Sequence, residues 1–303
     1  MQQMNIPERK ESSRQAFISL HLAVLLGGFT GLFGKLVTLN EVDIAWYRMF
    51  FAAIFLLVFT GLPKVSFRKL LRLAGTGALL GFHWVLFYAS IKSSNISIGV
   101  VCYSLVGFFT AIFEPMVFHH KISRLEILYS LITIAGLLCI FSFDARYRYG
   151  IMIGVAAAAV AALYAVFNKK ESADVRGRTS LFYQMTGGVV VLSAIIPIYL
   201  LIFPSSQPVA VIPEGSNLWW LLALALFCTV GEYLLVIKSL RRLSAFTANI
   251  TFNLEPVYSI IIAFLFFGEG RELNFSFYVG IALIVLSVSL QTLRSYKMAK
   301  HDI

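Results

Sequence analysis

The sequence predicts an all-α integral membrane protein of ten transmembrane helices in two inverted five-helix repeats. Composition is the first reason. Of 303 residues, 59% are hydrophobic and 13% charged, against about 45–50% and about 25% in soluble domains. A soluble core has no room for that much apolar surface, whereas a bilayer does. The second reason is that the apolar residues fall into runs of about 20, the helical length that crosses ~30 Å of hydrocarbon. The third is that Lys and Arg change sides with each run.

The spans follow in order. A polar segment, residues 1–15 (MQQMNIPERKESSRQ), precedes the first run at 16–34, which lacks an A-x-A cleavage pattern and is expected to be a retained helix. The second run is 44–62 and carries Arg48, and the third is 70–91 and carries His83. The fourth, 97–118, holds Pro115 near its end, and the fifth is 126–143. The sixth, 149–168, contains an alanine-rich stretch, and the seventh, 180–203, contains Gly187-Gly188. The eighth, 217–239, starts with Trp219-Trp220, which suit a membrane interface, and carries Glu232. The ninth is 245–267 and the tenth 274–294, with residues 295–303 as a second tail. The links 36–43, 92–96 and 241–244 are too short for any soluble domain; the longest, PSSQPVAVIPEGS at 204–216, reads as a loop. Gly27, Gly31, Gly34, Gly77 and Gly81 let helices approach closely.

Charge fixes the orientation. Nineteen of the 25 Lys and Arg lie in the segments that share a side with the N-terminus, five lie in the opposite segments, and Arg48 lies inside a span. Both tails, 1–15 and 295–303, are therefore expected in the cytoplasm, with the chain in the plasma (inner) membrane. One helix more or fewer would reverse the bias halfway along. The net charge of +10 is scattered through these links and forms no basic face, so nucleic acid is not an expected partner. Cys102, Cys139 and Cys228 sit singly within apolar runs, without metal-ligand spacing.

The chain also repeats. IKSSNISI at 91–98 returns as IKSLRRLSA at 237–245, an offset of about 146 residues. The first unit is expected at 16–143 and the second at 149–294. Each holds five spans, an odd number, so the second enters the membrane inverted. Transporters use this arrangement, with substrate bound near mid-membrane between the halves.

At three places the residues resemble the drug/metabolite transporter superfamily, in particular the EamA-type transporters. NLEPVYSIIIAFLFFGE (253–269) resembles the family's Leu-x-Pro-Val and Gly-Glu segment. YVGIALI (278–284) resembles the opening of its last helix, and WYRMFFAA (46–53) its Arg-x-x-x-Ala second helix. The first half departs from the pattern: His119-His120-Lys121 stand where a Gly-Glu pair is expected, and the Glu-Pro pairs 114–115 and 255–256 are 141 residues apart, out of register with the repeat. The resemblance implies a secondary transporter that moves a small metabolite (an amino acid, a related metabolite or a drug-like compound), exports it in the commoner family role, and works by alternating access, with a proton as a candidate coupling ion. The alternative is a membrane enzyme acting on lipid or isoprenoid, which needs clustered acids, histidines or metal ligands at one face.

Candidate site residues are those a bilayer tolerates poorly. Glu232 stands alone in its span, and an unpaired charge at that depth costs from ~3 to above 10 kcal/mol. It is expected to be paired, protonated or facing water. The repeat register sets His83 against Thr229, one turn from Glu232, so each half offers a titratable group at related depth. His83 serves either a cavity or an interhelical hydrogen bond. In the ninth span Pro256 removes a helical N–H and is a candidate hinge. Asn249, Asn253 and Pro256 share a helical face bordered by Glu255, either a substrate-facing surface or a packing kink. Arg48 either snorkels to the interface or attracts an anionic group. Tyr88, Tyr103 and Tyr164 are candidates for cavity walls beside His83. No P-loop, H-E-x-x-H or G-x-S-x-G occurs, so neither an enzyme, a metal nor a cofactor is expected. The expected partners are a small-molecule substrate, the lipid bilayer and a second copy of the chain.

Overall fold

The computed structural model describes residues 13–119, 124–141, 145–202, 209, 212–240, 243, 251–252, 254–271 and 273–301. Every regular element among them is helical. The first span is α1 (Ser13–Gly28) with α2 (Thr30–Leu36), the second α3 (Glu41–Thr60), and the third α4 (Phe67–Ser93). The fourth is split into α5 (Ile96–Tyr103) and α6 (Val106–Phe118). Then come α7 (Arg124–Phe141), α8 (Arg148–Glu171) and α9 (Gly177–Ile202). The eighth span is α10 (Ser216–Ala225), a π-helical turn at Leu226–Gly231 and α11 (Glu232–Leu240). The ninth contributes α12 (Glu255–Phe267) and the tenth α13 (Phe275–His301). Among the described residues seven spans are long and apolar enough to cross a bilayer, and three shorter apolar helices bring the number to ten.

Local chemistry sets the ends. Asn40 Oδ1 accepts from Val42 N at 2.8 Å to open α3, and Asn95 Oδ1 accepts from Ile98 N at 2.9 Å to open α5. The helices that end the fourth and ninth spans both close in the left-handed region. Gly268 does so at φ 65° and His119 at φ 57°. The glycine is at home there, while the histidine carries a Cβ that the conformation crowds.

The packing repeats as an inverted pair requires. The third span lies on the sixth and seventh (α4 on α8 and α9), and the eighth lies likewise on the first and second (α11 on α1, α10 on α3). The fourth meets the sixth as the ninth meets the first (α6 on α8, α12 on α1). Second and seventh, fourth and ninth, and fifth and tenth spans pair with their own mates (α3 with α9, α5 with α12, α7 with α13). Small residues make the crossings. A Cβ on Gly77 would lie 1.9 Å from Gln184 O, and one on Gly187 2.3 Å from Ala74 Cα. Gly136 and Gly280 face each other reciprocally, each with the other's carbonyl oxygen within 2.6 Å of its missing Cβ. Large apolar side chains such as Leu201, Leu265 and Phe266 are exposed around the bundle; in water they would be a liability, in lipid they are the solvated face. The chain is an integral, multi-pass membrane protein.

Each end of the bundle has its own polar ties. At one end the buried Glu269 carboxylate takes an ion pair from Lys35 Nζ (2.7 Å) and hydrogen bonds from Ile96 N (3.0 Å), Ser97 N (2.9 Å) and Ser97 Oγ (2.8 Å). It thereby joins the loop after the ninth span to the first span and to the start of α5, whose orphan N–H groups it satisfies. Lys92 Nζ donates to Leu39 O, and Tyr199 OH donates to Glu41 at 2.7 Å, at the same end. At the other end Lys69 pairs with Asp174 and Glu171, and Tyr183 OH donates to Pro63 O.

Candidate functional site

Between the two repeats lies a cavity of about 340 Å³, in the range of small-molecule sites. Its walls include Arg48, His83, Tyr103 and Tyr164 from the second, third, fourth and sixth spans, and Glu232, Tyr233, Glu255 and Pro256 from the eighth and ninth.

Arg48 comes from α3. Nε donates to Thr229 Oγ1 at 2.8 Å, Nη1 to the Tyr88 hydroxyl at 2.9 Å and Nη2 to Cys228 O at 2.7 Å. Its guanidinium lies 3.9 Å from the Trp84 ring centroid. Only 3% of the residue is exposed, so the snorkelling expectation is corrected. Buried acceptors from the third and eighth spans hold the side chain inside, and an aromatic face covers it. The Cys228 carbonyl is available because the π-helical turn runs through 226–231; such turns alter the regular i→i−4 bonding and release backbone groups. Nothing in the apolar pattern of 217–239 signals that turn.

Tyr88 is fully buried and does not border the cavity; it stands behind Arg48 and accepts its hydrogen bond. Its expected place as a wall beside His83 is therefore corrected. Tyr103 and Tyr164 do line the space. Tyr103 packs 5.4 Å from the His83 ring, centroid to centroid. The Tyr164 hydroxyl donates to Gln184 Oε1 at 3.1 Å, and Gln184 Nε2 donates to Asn168 Oδ1 at 2.7 Å. Asn168 borders the cavity and Gln184 is buried behind it, a polar pair that the sequence does not announce because the two stand 16 residues apart on different spans.

His83 makes an interhelical hydrogen bond and also borders the cavity. Nδ1 is 3.0 Å from Ala157 O; a carbonyl only accepts, so Nδ1 carries hydrogen. The ring also lines the cavity. Glu232 begins α11 and Glu255 begins α12, and both line the same space. Neither has an ion-pair partner within 4 Å among the described residues. The Glu255 carboxyl lies against Gly27 of α1, where an added Cβ would sit 3.1 Å from its Cδ.

Pro256 occupies the first turn of α12, not a mid-helix kink as the continuous ninth span implied. A proline there forfeits nothing, since first-turn N–H groups have no helical partner. Leu254 N bonds back to Thr251 O at 3.0 Å, so a tight turn precedes the helix. In the first repeat the fourth span breaks at Ser104-Leu105 without a proline. Asn249 and Asn253 lie outside the described residues.

A model of the EamA-like transporter family matches residues 15–142 and again 148–293. A Bacillus subtilis protein named uncharacterized transporter YxxF is 23% identical over 306 residues, with 97% of this chain and 94% of that protein covered. An uncharacterized transporter of Clostridium kluyveri is 23% identical over 205 residues, spanning 65% of this chain and 63% of its own length. A solved structure titled only as a protein crystal structure shares the fold, with TM-score 0.60 at 17% identity, covering 95% of this chain and 99% of that one. The two family matches take in most of the sequence, one for each set of five spans, and the chain belongs to the EamA-like transporter family.

Proposed function

We propose that this protein is a secondary transporter that exports a small organic metabolite or drug-like compound across the plasma membrane by alternating access, in exchange for protons. The observation that carries the reading is the cavity of about 340 Å³ walled by both repeats, with Glu232 and Glu255 placed in it without ion-pair partners among the described residues. Carboxylates at that depth are costly unless they meet water, a proton or a ligand. Rocking one repeat against the other exposes such a site to each side in turn. The Lys and Arg distribution supports cytoplasmic termini, so the Lys69 end faces the cytoplasm and the Lys35–Glu269 end faces outward.

Proteoliposomes containing the purified chain, loaded with a metabolite mixture and placed under an imposed pH gradient, test this. The wild type is expected to release at least one compound at a rate set by the gradient. Glu232→Gln is expected to abolish the gradient dependence. Gradient dependence unchanged in that variant contradicts proton exchange at Glu232, and no release of any compound contradicts transport.

A further inference from the structure

The charges facing the cavity do not cancel. Among the described lining residues there are two carboxylates, Glu232 and Glu255, and one guanidinium, Arg48. His83 spends its Nδ1–H on Ala157 O. Arg48 is held by Tyr88, Thr229 and the Cys228 carbonyl and is stacked on Trp84, so it cannot swing to follow a ligand. With both carboxylates ionised, the space carries one negative charge in excess. A buried charge is tolerated only when paired and hydrogen-bonded. An anion would add to the excess, and a zwitterion would leave it unchanged. A single positive charge cancels it. The remaining wall suits the body of such a molecule: Phe87, Tyr103, Tyr164, Tyr233 and Phe252 offer ring faces and edges, which attract cations as well as apolar carbon.

We infer that the ligand of this cavity is a small organic cation of the amine type, with its ammonium group received by Glu232 and Glu255 and its apolar body packed on the aromatic wall. The inference rests on the transporter reading of the same cavity and narrows its substrate class.

A charge series on one aromatic body tests it. Phenethylammonium, phenylalanine, phenylacetate and 2-phenylethanol are titrated against the purified full chain at pH 8, with tryptophan fluorescence as the readout because Trp84 borders the cavity. Phenethylammonium is expected to bind at least tenfold more tightly than the other three, and Glu232→Gln and Glu255→Gln are each expected to weaken it at least tenfold. Phenylalanine or phenylacetate binding as tightly as the amine overturns the inference, as does the absence of saturable amine binding to the wild type. Counterflow in proteoliposomes with whichever compound binds best separates the two readings. If phenylacetate binds and is moved, the charge class falls and transport stands. If the amine binds through both glutamates but is not moved, the charge class stands and transport falls.

Discussion

Three donors of Arg48 end on Tyr88, Thr229 and the Cys228 carbonyl, in three directions that a planar fork can serve and a lysine ammonium cannot. Arg48→Lys keeps the charge and roughly the length but strands at least one buried acceptor. The expected loss is about 2–3 kcal/mol of stability, read as a lowered melting temperature in detergent, with no restoration by added salt since the groups are buried. A melting temperature equal to wild type would mean that the fork is not needed. His119 raises the opposite expectation. It is exposed and left-handed at φ 57°, where the second repeat has Gly268. His119→Gly relieves a Cβ crowded by the backbone and is expected to stabilise by up to about 1 kcal/mol. The sequence shows histidine in place of the Gly of a Gly-Glu pair. It does not show that the backbone keeps the glycine conformation, because a residue's identity biases φ without fixing it.

At the scale of elements, two glycines on α4 separate packing from propensity. A Cβ added at Gly75 would meet nothing within 4 Å, while one on Gly77 would meet the Gln184 carbonyl at 1.9 Å. Gly75→Ala is expected to stabilise α4 by roughly 0.5–1 kcal/mol. Gly77→Ala must push α4 off α9, at a cost of about 1–3 kcal/mol or more. Melting temperatures of the two variants moving in the same direction would contradict the crossing. Glu269 ties three elements at the other kind of contact, a helix start. Glu269→Gln keeps the shape but loses the Lys35 ion pair and the charge that favours the α5 N-terminus. The expectation is a loss of about 1–3 kcal/mol, and faster labelling of Ser97→Cys by a water-soluble maleimide applied from the Lys35 end. Unchanged labelling would show that the tie does not hold that end closed. In the sequence Glu269 is half of a family-like Gly-Glu pair with no partner in view. Its partners are 172 to 234 residues away, a distance only the fold removes.

For the whole molecule, the ten spans and the two inverted sets are legible because a bilayer enforces run length and flanking charge on every segment alike. The sequence locates Arg48 in its span but does not show that it is walled in by Tyr88, Thr229 and Cys228, since hydropathy records where a residue lies along its helix and not which neighbours turn toward it. Glu232, Glu255 and His83 stand out because isolated polar groups are costly in lipid, and the fold brings all three to one cavity. The π-helical turn and the Gln184–Asn168 hydrogen bond leave no trace in the apolar pattern. What unites the residues and the elements is one claim: the space between the repeats is wet and receives ligand, while the outer faces of the same helices meet acyl chains. Cysteine labelling in native membranes tests it directly. With Cys102, Cys139 and Cys228 replaced by alanine, single cysteines are placed at Glu232 and Glu255 in the cavity and at Leu265 and Val190 on exposed apolar surface. The two cavity positions are expected to react with a water-soluble cationic methanethiosulfonate, and the two surface positions to stay unreacted. Cavity positions that resist the reagent from both sides of the membrane, with Leu265 or Val190 reacting, would contradict the claim.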